Sequence, residues 1–127
     1  MHPSEELLAK AYDCFARADM PAFLGLCDDS ITFEVPGKTP FSGVHTKADF
    51  GEWIGTVMQI CNGTFGERPV EIIANDEHGV VILDHWMERD GTRHEWRAYH
   101  IWQIRDGKLT GFKERPGDEE QFNRMWS

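Results

Sequence analysis

Thr92 to Arg105, TRHEWRAYHIWQIR, constrains this chain more than any other stretch. Read with the two-residue period of a strand, it has two unlike faces. One carries His94, Trp96, Ala98, His100, Trp102 and Ile104; the other carries Arg93, Glu95, Arg97, Tyr99, Ile101 and Gln103. A plain core would fill the first face with aliphatic side chains. Two imidazoles among aromatic rings point instead to a cavity wall.

The neighbouring segments extend that face. Asp90-Gly91 is a strong two-residue hairpin signal. It pairs Arg89 with Thr92, so Met87 faces His94, His85 faces Trp96, Leu83 faces Ala98 and Val81 faces His100. Cross-strand partners project to the same side of a sheet. His85 therefore joins the aromatic face, while Asp84, Trp86 and Glu88 go outward. Asp106-Gly107 starts a second hairpin into KLTGFKERPG. Strict register would turn Leu109, Gly111 and Lys113 inward, burying an ammonium at a cost of several kcal/mol. A bulge near Thr110-Gly111 would reverse the parity, bringing Phe112 and Glu114 inward and sending Lys113 and Arg115 out.

Upstream, the pattern is helical. Ser4 can cap a helix with Glu5 and Glu6 in its first turn. Leu7, Leu8, Ala11, Tyr12, Phe15 and Ala18 recur on one face. Tyr12 either satisfies its hydroxyl within the core or points a phenol into the cavity. Asp19 caps a short second helix carrying Phe23, Leu24 and Cys27. Ile31 to Val35 alternates as a strand, with Ile31, Phe33 and Val35 on one face and Thr32 and Glu34 on the other. Pro36 to Gly43 is a broken loop. Thr46 and Asp49 form a capping-box-like start to a third helix bearing Phe50, Trp53, Ile54, Val57, Met58 and Cys61. Strands follow at Pro69–Asn75 and Val80–Arg89. The tail from Asp118 places Phe122, Met125 and Trp126 at helical spacing, across a sheet edge, the cavity mouth or a partner.

Composition removes whole classes of function. A chain of 127 residues is one domain, residues 1–127, long enough to bury a core. A formal charge of −9 argues against nucleic acid and anionic membranes as partners. No stretch approaches the ~20 apolar residues of a membrane span, and the acidic N-terminus lacks a secretory pattern. Cys14, Cys27 and Cys61 read as buried free thiols, consistent with a reducing cytoplasm. No metal is expected: HxH, HExxH and clustered Cys/His spacings do not occur, and His94 and His100 lie roughly 20 Å apart along one strand at ~3.3 Å per residue. GxSxG and phosphate-cradling loops are missing as well.

Helices followed by a curved sheet make an α+β plan. The run from Asp28-Asp29 through Glu34, Pro36-Gly37 and Phe41-Ser42-Gly43, then a helix and hairpins, resembles the ketosteroid isomerase and SnoaL-like polyketide cyclase group of the nuclear transport factor 2-like superfamily. The resemblance implies a conical α+β barrel, three N-terminal helices packed on a strongly curved antiparallel sheet around a central cavity. It also implies residue roles. Counting from Asp28-Asp29, Glu34 matches the strand carboxylate that shuttles protons in the isomerases. Counting from Asp90-Gly91, His100 matches their protonated aspartic acid. Their oxyanion tyrosine falls nearest Ala11, one residue from Tyr12.

Glu34, His85 and His100 are thus the expected catalytic groups, with Glu114 joining them if the bulge is real. Tyr12, Trp53, Trp96, Trp102, Phe112 and Glu114 are the expected substrate contacts. The chemistry would be cofactor-independent acid-base work on a small, largely apolar molecule, of isomerase, cyclase or dehydratase type. Ligand binding without turnover, or a purely structural domain, is the alternative. The outer face, with Trp86, Tyr99 and Ile101 among polar residues, is expected to pair two copies as a homodimer. The acid-base reading needs Glu34, His85 and His100 to face inward.

Overall fold

The computed structural model describes all residues, 1–127. In chain order the elements are α1 (Pro3–Ala16), α2 (Met20–Gly25), β1 (Cys27–Val35), β2 (Gly43–Thr46), α3 (Phe50–Ile60), β3 (Gly66–Ala74), β4 (His78–Arg89), β5 (Thr92–Arg105), β6 (Lys108–Pro116) and α4 (Glu119–Trp126). The strands form one six-stranded sheet in the order β2-β1-β6-β5-β4-β3. It curls without closing, and the helices pack on it. Two details correct the expected plan. β1 runs parallel to β6, so the sheet is mixed rather than antiparallel throughout. Only two helices precede the first strand; α3 lies between β2 and β3, and α4 is a fourth.

Local chemistry explains most element ends. His2, not Ser4, caps α1: its ring accepts from the Ser4 amide while Glu5 returns a bond to the His2 amide. Ser4 is itself buried. Asp19 and Asp118 cap α2 and α4 by accepting from Ala22 and Gln121. Thr46 and Asp49 make the expected reciprocal pair, although α3 begins only at Phe50. Both hairpins turn through left-handed pairs, Asp90 at φ 54° with Gly91 at 78° and Asp106 at 50° with Gly107 at 73°. That geometry matches the twist of the flanking strands.

Register decides what faces the core. Met87↔His94, His85↔Trp96, Leu83↔Ala98 and Val81↔His100 pair as the Asp90-Gly91 turn requires. Between β5 and β6, Gln103 pairs with Gly111 but Ile104 pairs with Leu109, which leaves Thr110 as the extra residue of a bulge. The bulge turns Phe112 and Glu114 inward and Lys113 outward, and no ammonium is buried. A second bulge, at Val70 in β3, sits between Pro69↔Leu83 and Glu71↔Ile82.

Aromatic side chains dominate the space between sheet and helices. Phe23, Phe33 and Phe50 pack with ring centres 5.1–6.4 Å apart. α4 closes one end, where Trp126 is 1% exposed and packs edge-on against Phe41 and Trp96. Arg89 donates to the carbonyls of Met125 and Ser127 at 2.8 and 2.7 Å, and the Lys38 amide donates to Asn123. These bonds fasten the tail across the cavity.

Inserting one alanine between Gly111 and Phe112 shifts the parity beyond the bulge and drives Lys113 and Arg115 toward the aromatic interior. The expected loss is at least ~3 kcal/mol of unfolding free energy, read from urea denaturation; an unchanged midpoint would show that the bulge does not set the parity.

Candidate active site

The sheet and helices enclose a cavity of about 90 Å³ open to the centres of water molecules, or about 720 Å³ counted out through its mouth. The smaller figure corresponds to roughly six to nine waters at 10–15 Å³ each. Of its 21 lining residues, 17 are hydrophobic, and the other four are Glu67, His85, His100 and Glu114. The polar groups come from adjacent strands: Glu67 pairs with His85 across β3–β4, and His100 with Glu114 across β5–β6. The cavity is therefore greasy everywhere except along one band of the sheet.

That band is a connected set. Trp102 Nε1 donates to the Tyr12 hydroxyl at 3.1 Å, and the hydroxyl bonds in turn to His100 Nδ1. His100 Nε2 lies 2.5 Å from Glu114 Oε2, and His85 Nε2 lies 3.4 Å from Glu114 Oε1. His85 Nδ1 is 3.8 Å from Glu67 Oε1. The approach of His100 Nε2 is a contact of charge, since Glu114 Oε2 completes no well-angled hydrogen bond. A carboxylate facing Nε2 favours the tautomer that carries its proton there and leaves Nδ1 to accept from Tyr12. The contacts of His85 are charge contacts; neither of its ring nitrogens completes a well-angled hydrogen bond.

The electrostatics follow from burial and pairing. Burial alone would raise the Glu114 carboxyl, but the close positive charges of His100 and His85 outweigh it and hold the group well below the carboxylate range. Burial likewise opposes a charged His85, yet Glu114 and Glu67 raise it above its ordinary value. For Glu67 the balance falls the other way: burial pushes its carboxyl up, and the charges of His85 and His100 only partly offset it. Burial also lifts Tyr12 well above the usual phenol, assisted by the charges of Glu67 and Glu114. One carboxylate is held ionised while its neighbour is pushed toward the neutral acid.

The expected site residues divide clearly. Tyr12, Trp53, His85, Trp96, His100, Trp102, Phe112 and Glu114 all line the cavity. Trp53 is set there by α3 and by His45, which stacks on it at 4.9 Å. Tyr12 resolves to the cavity side and bonds within it. Glu34 is the correction. Ile31, Phe33 and Val35 are 1–3% exposed in the core, so the strand period sends Glu34 to the opposite face. There Arg115 donates to it at 2.6 Å and holds its carboxyl below the ordinary value. Matching Glu34 to the isomerase base therefore fails, and an isomerase-like shuttle at that position goes with it. Glu114 and Glu67 are the carboxyls actually inside.

Glu67 was not foreseen. Counting back from Ile72 and Ala74 without a bulge turns Glu67 out and Arg68 in; the Val70 bulge reverses this. A buried arginine was the available warning, of the same kind as Lys113.

One oxygen of Glu67 and one nitrogen each of His85 and His100 also lie within 4.8 Å of one another, a trio from three strands that no linear spacing reveals. The set does not fit a resident ion well. Both ring nitrogens of His100 are engaged, by Tyr12 and Glu114, so a metal would have to break that chain.

The cluster makes stability depend on pH. Glu114 is depressed in the fold, so its contribution is present above an unfolded value of about 4.3 and lost as pH falls. His85 is raised, so its contribution is present below an unfolded value of about 6.5 and lost as pH rises through the folded one. Stability from the pair is expected to peak between about pH 4.5 and 6.5. Glu114→Gln should flatten both limbs and cost ~3 kcal/mol at the peak; parallel curves for the two proteins would contradict the pairing.

Against known proteins, residues 8–112 match the family model of the SnoaL-like domain. No curated protein matches the sequence. Among solved structures, Bal32a from a soil-derived mobile gene cassette superposes with a TM-score of 0.91 at 20% identity, covering 98% of this chain and 97% of that one. A cystatin-like-fold protein of Xanthomonas campestris gives 0.89 at 21% identity, covering 100% and 99%. TerC, crystallised with polyporic acid, gives 0.86 at 23% identity, covering 97% of each chain. At these identities the structural likeness establishes the fold alone. With most of its length matched by the family model, the chain belongs to the SnoaL-like domain family.

Proposed function

We propose that this protein binds a small, largely apolar ring compound in its cavity and performs acid-base chemistry on it, of the isomerase, cyclase or dehydratase kind. The observation that carries this reading is the buried chain Trp102–Tyr12–His100–Glu114 at the one polar band of an aromatic cavity. A neighbour crystallised with polyporic acid supports a small-molecule ligand.

The chain suits proton transfer. A proton leaving carbon beside a carbonyl passes to Tyr12 Oη as the phenol proton moves to His100 Nδ1. The resulting imidazolium rests against the Glu114 carboxylate, and the Trp102 N–H steadies the phenol oxygen. The phenol then returns a proton to a different ligand atom, another carbon or a departing hydroxyl oxygen, while the His100 proton goes back to Tyr12. No atom beyond the ligand and these side chains is consumed. Such positioned proton transfer contributes roughly 10²–10⁴-fold to rate. Side chains of the cavity supply both acid and base, which supports a cofactor-independent reaction.

Binding without turnover is the second reading, favoured by the outward Glu34 and the otherwise apolar wall. One experiment separates the two. 1-Tetralone, an aryl ketone with exchangeable protons beside its carbonyl, is incubated with the protein in D₂O and followed by NMR, with binding read from tryptophan fluorescence. Catalysed exchange is expected, with Tyr12→Phe slowing it ~100-fold or more while binding persists. Binding without exchange would leave a binding protein.

The outer sheet face carries Val80, Tyr99 and Ile101 at 37–39% exposed and Ile73 at 51%. We propose this face as a homodimer surface. Sedimentation should give twice the 14.6 kDa chain mass, and Tyr99→Glu with Ile101→Lys should halve it; a monomeric wild type would refute the proposal.

A further inference from the structure

The Tyr12–His100–Glu114 chain leaves one cavity carboxyl unused. Glu67 lines the cavity with its side chain 12% exposed, held inward by the Val70 bulge. It accepts or donates no hydrogen bond within the protein; its nearest polar neighbour, His85 Nδ1, stands off at 3.8 Å. His85 in turn leaves Nδ1 without a hydrogen-bond partner. The band of polar groups therefore has two ends. One is closed on itself through Tyr12, and the other is open.

We propose that Glu67 is a ligand-binding carboxyl that donates its proton as a hydrogen bond to an acceptor oxygen of the bound molecule, so that the cavity selects ring compounds bearing a carbonyl or comparable oxygen over bare hydrocarbons of the same shape. This deepens the proposed function and rests on its ligand-binding part. The groups facing Glu67 are His85 from β4, His100 from β5, Glu114 from β6 and Tyr12 from α1. Glu114 already takes the close charge contact of His100, at 2.5 Å, and a contact of 3.4 Å with His85. Burial without an equally close cation favours the neutral carboxyl of Glu67. A neutral carboxyl is a donor as well as an acceptor. Enclosed by apolar walls, its hydroxyl lacks a protein acceptor at bonding distance, and the cavity ligand is the group placed to supply one. Where the ligand oxygen gains charge during proton abstraction at carbon, the same hydrogen bond strengthens, so Glu67 would act on turnover as well as on affinity.

The test compares 1-tetralone with tetralin, the same skeleton without the oxygen, using tryptophan fluorescence from pH 5 to 9. The wild type is expected to favour 1-tetralone about tenfold at the acid end of that range, one hydrogen bond's worth of discrimination, and to lose that preference as rising pH ionises Glu67. Glu67→Gln keeps an amide donor and should hold the preference flat across the range. Glu67→Met should abolish it while melting at or above the wild-type temperature, which confirms that it folds. A tenfold preference retained by Glu67→Met, or a Glu67→Gln profile that follows the wild type, would overturn the proposal and leave the proposed function standing. Failure of both compounds to bind the wild type would overturn both.

Discussion

A carboxylate placed among aromatic rings must be compensated by charge or give up its ionisation, and Glu114 is the group on which that constraint falls. An isolated ion there would cost several kcal/mol. His100 at 2.5 Å and His85 at 3.4 Å supply the compensation from adjacent strands. That demand couples register to electrostatics: β4, β5 and β6 must present His85, His100 and Glu114 to the same side at the same height. The turns at Asp90-Gly91 and Asp106-Gly107 and the bulge at Thr110 accomplish this. Without the bulge, Glu114 would lie outside and the imidazoles would face each other with no anion between them.

The rest of the cavity can then be apolar. Helices α1 and α3 cover the sheet with Tyr12, Phe15, Trp53 and Ile54, while α4 plugs one end with Phe122 and Trp126. Hydrophobic burial supplies the cohesion, and the polar band carries the ionisable groups. Dry walls strengthen each charge contact along the band. The same walls push the Glu67 carboxyl up, so neighbouring carboxyls in one cavity are shifted in opposite directions. Separation of this kind is how a site provides an acid and a base together.

Much of this was legible in the sequence, for reasons specific to particular residues. The inward set on β4 and β5 follows from one turn and the pleat. The Thr110 bulge follows from the cost of burying Lys113. The parallel contact of β1 with β6 had no local signal, because no turn joins them. Glu34 was misplaced by counting to a family position; its own alternation with Phe33 and Val35 had it right. Glu67 was hidden behind the Val70 bulge, and Arg68 was the clue to it. Where a charge would have been forced inside, parity reasoning worked. Where Glu34 was carried over by alignment of landmarks against its own strand alternation, the placement failed.

The central claim is that pairing with Glu114 overrides burial in setting the charge of the His85 imidazole. Nitrogen-15 NMR of the histidine side chains, titrated from pH 4 to 9 in the wild type and in Glu114→Gln, measures this directly. The account predicts a His85 midpoint above the ordinary ~6.5 that drops below it in the variant, with His100 protonated at Nε2 when neutral. A wild-type His85 that stays neutral down to pH 5, or a midpoint indifferent to Glu114, would contradict it.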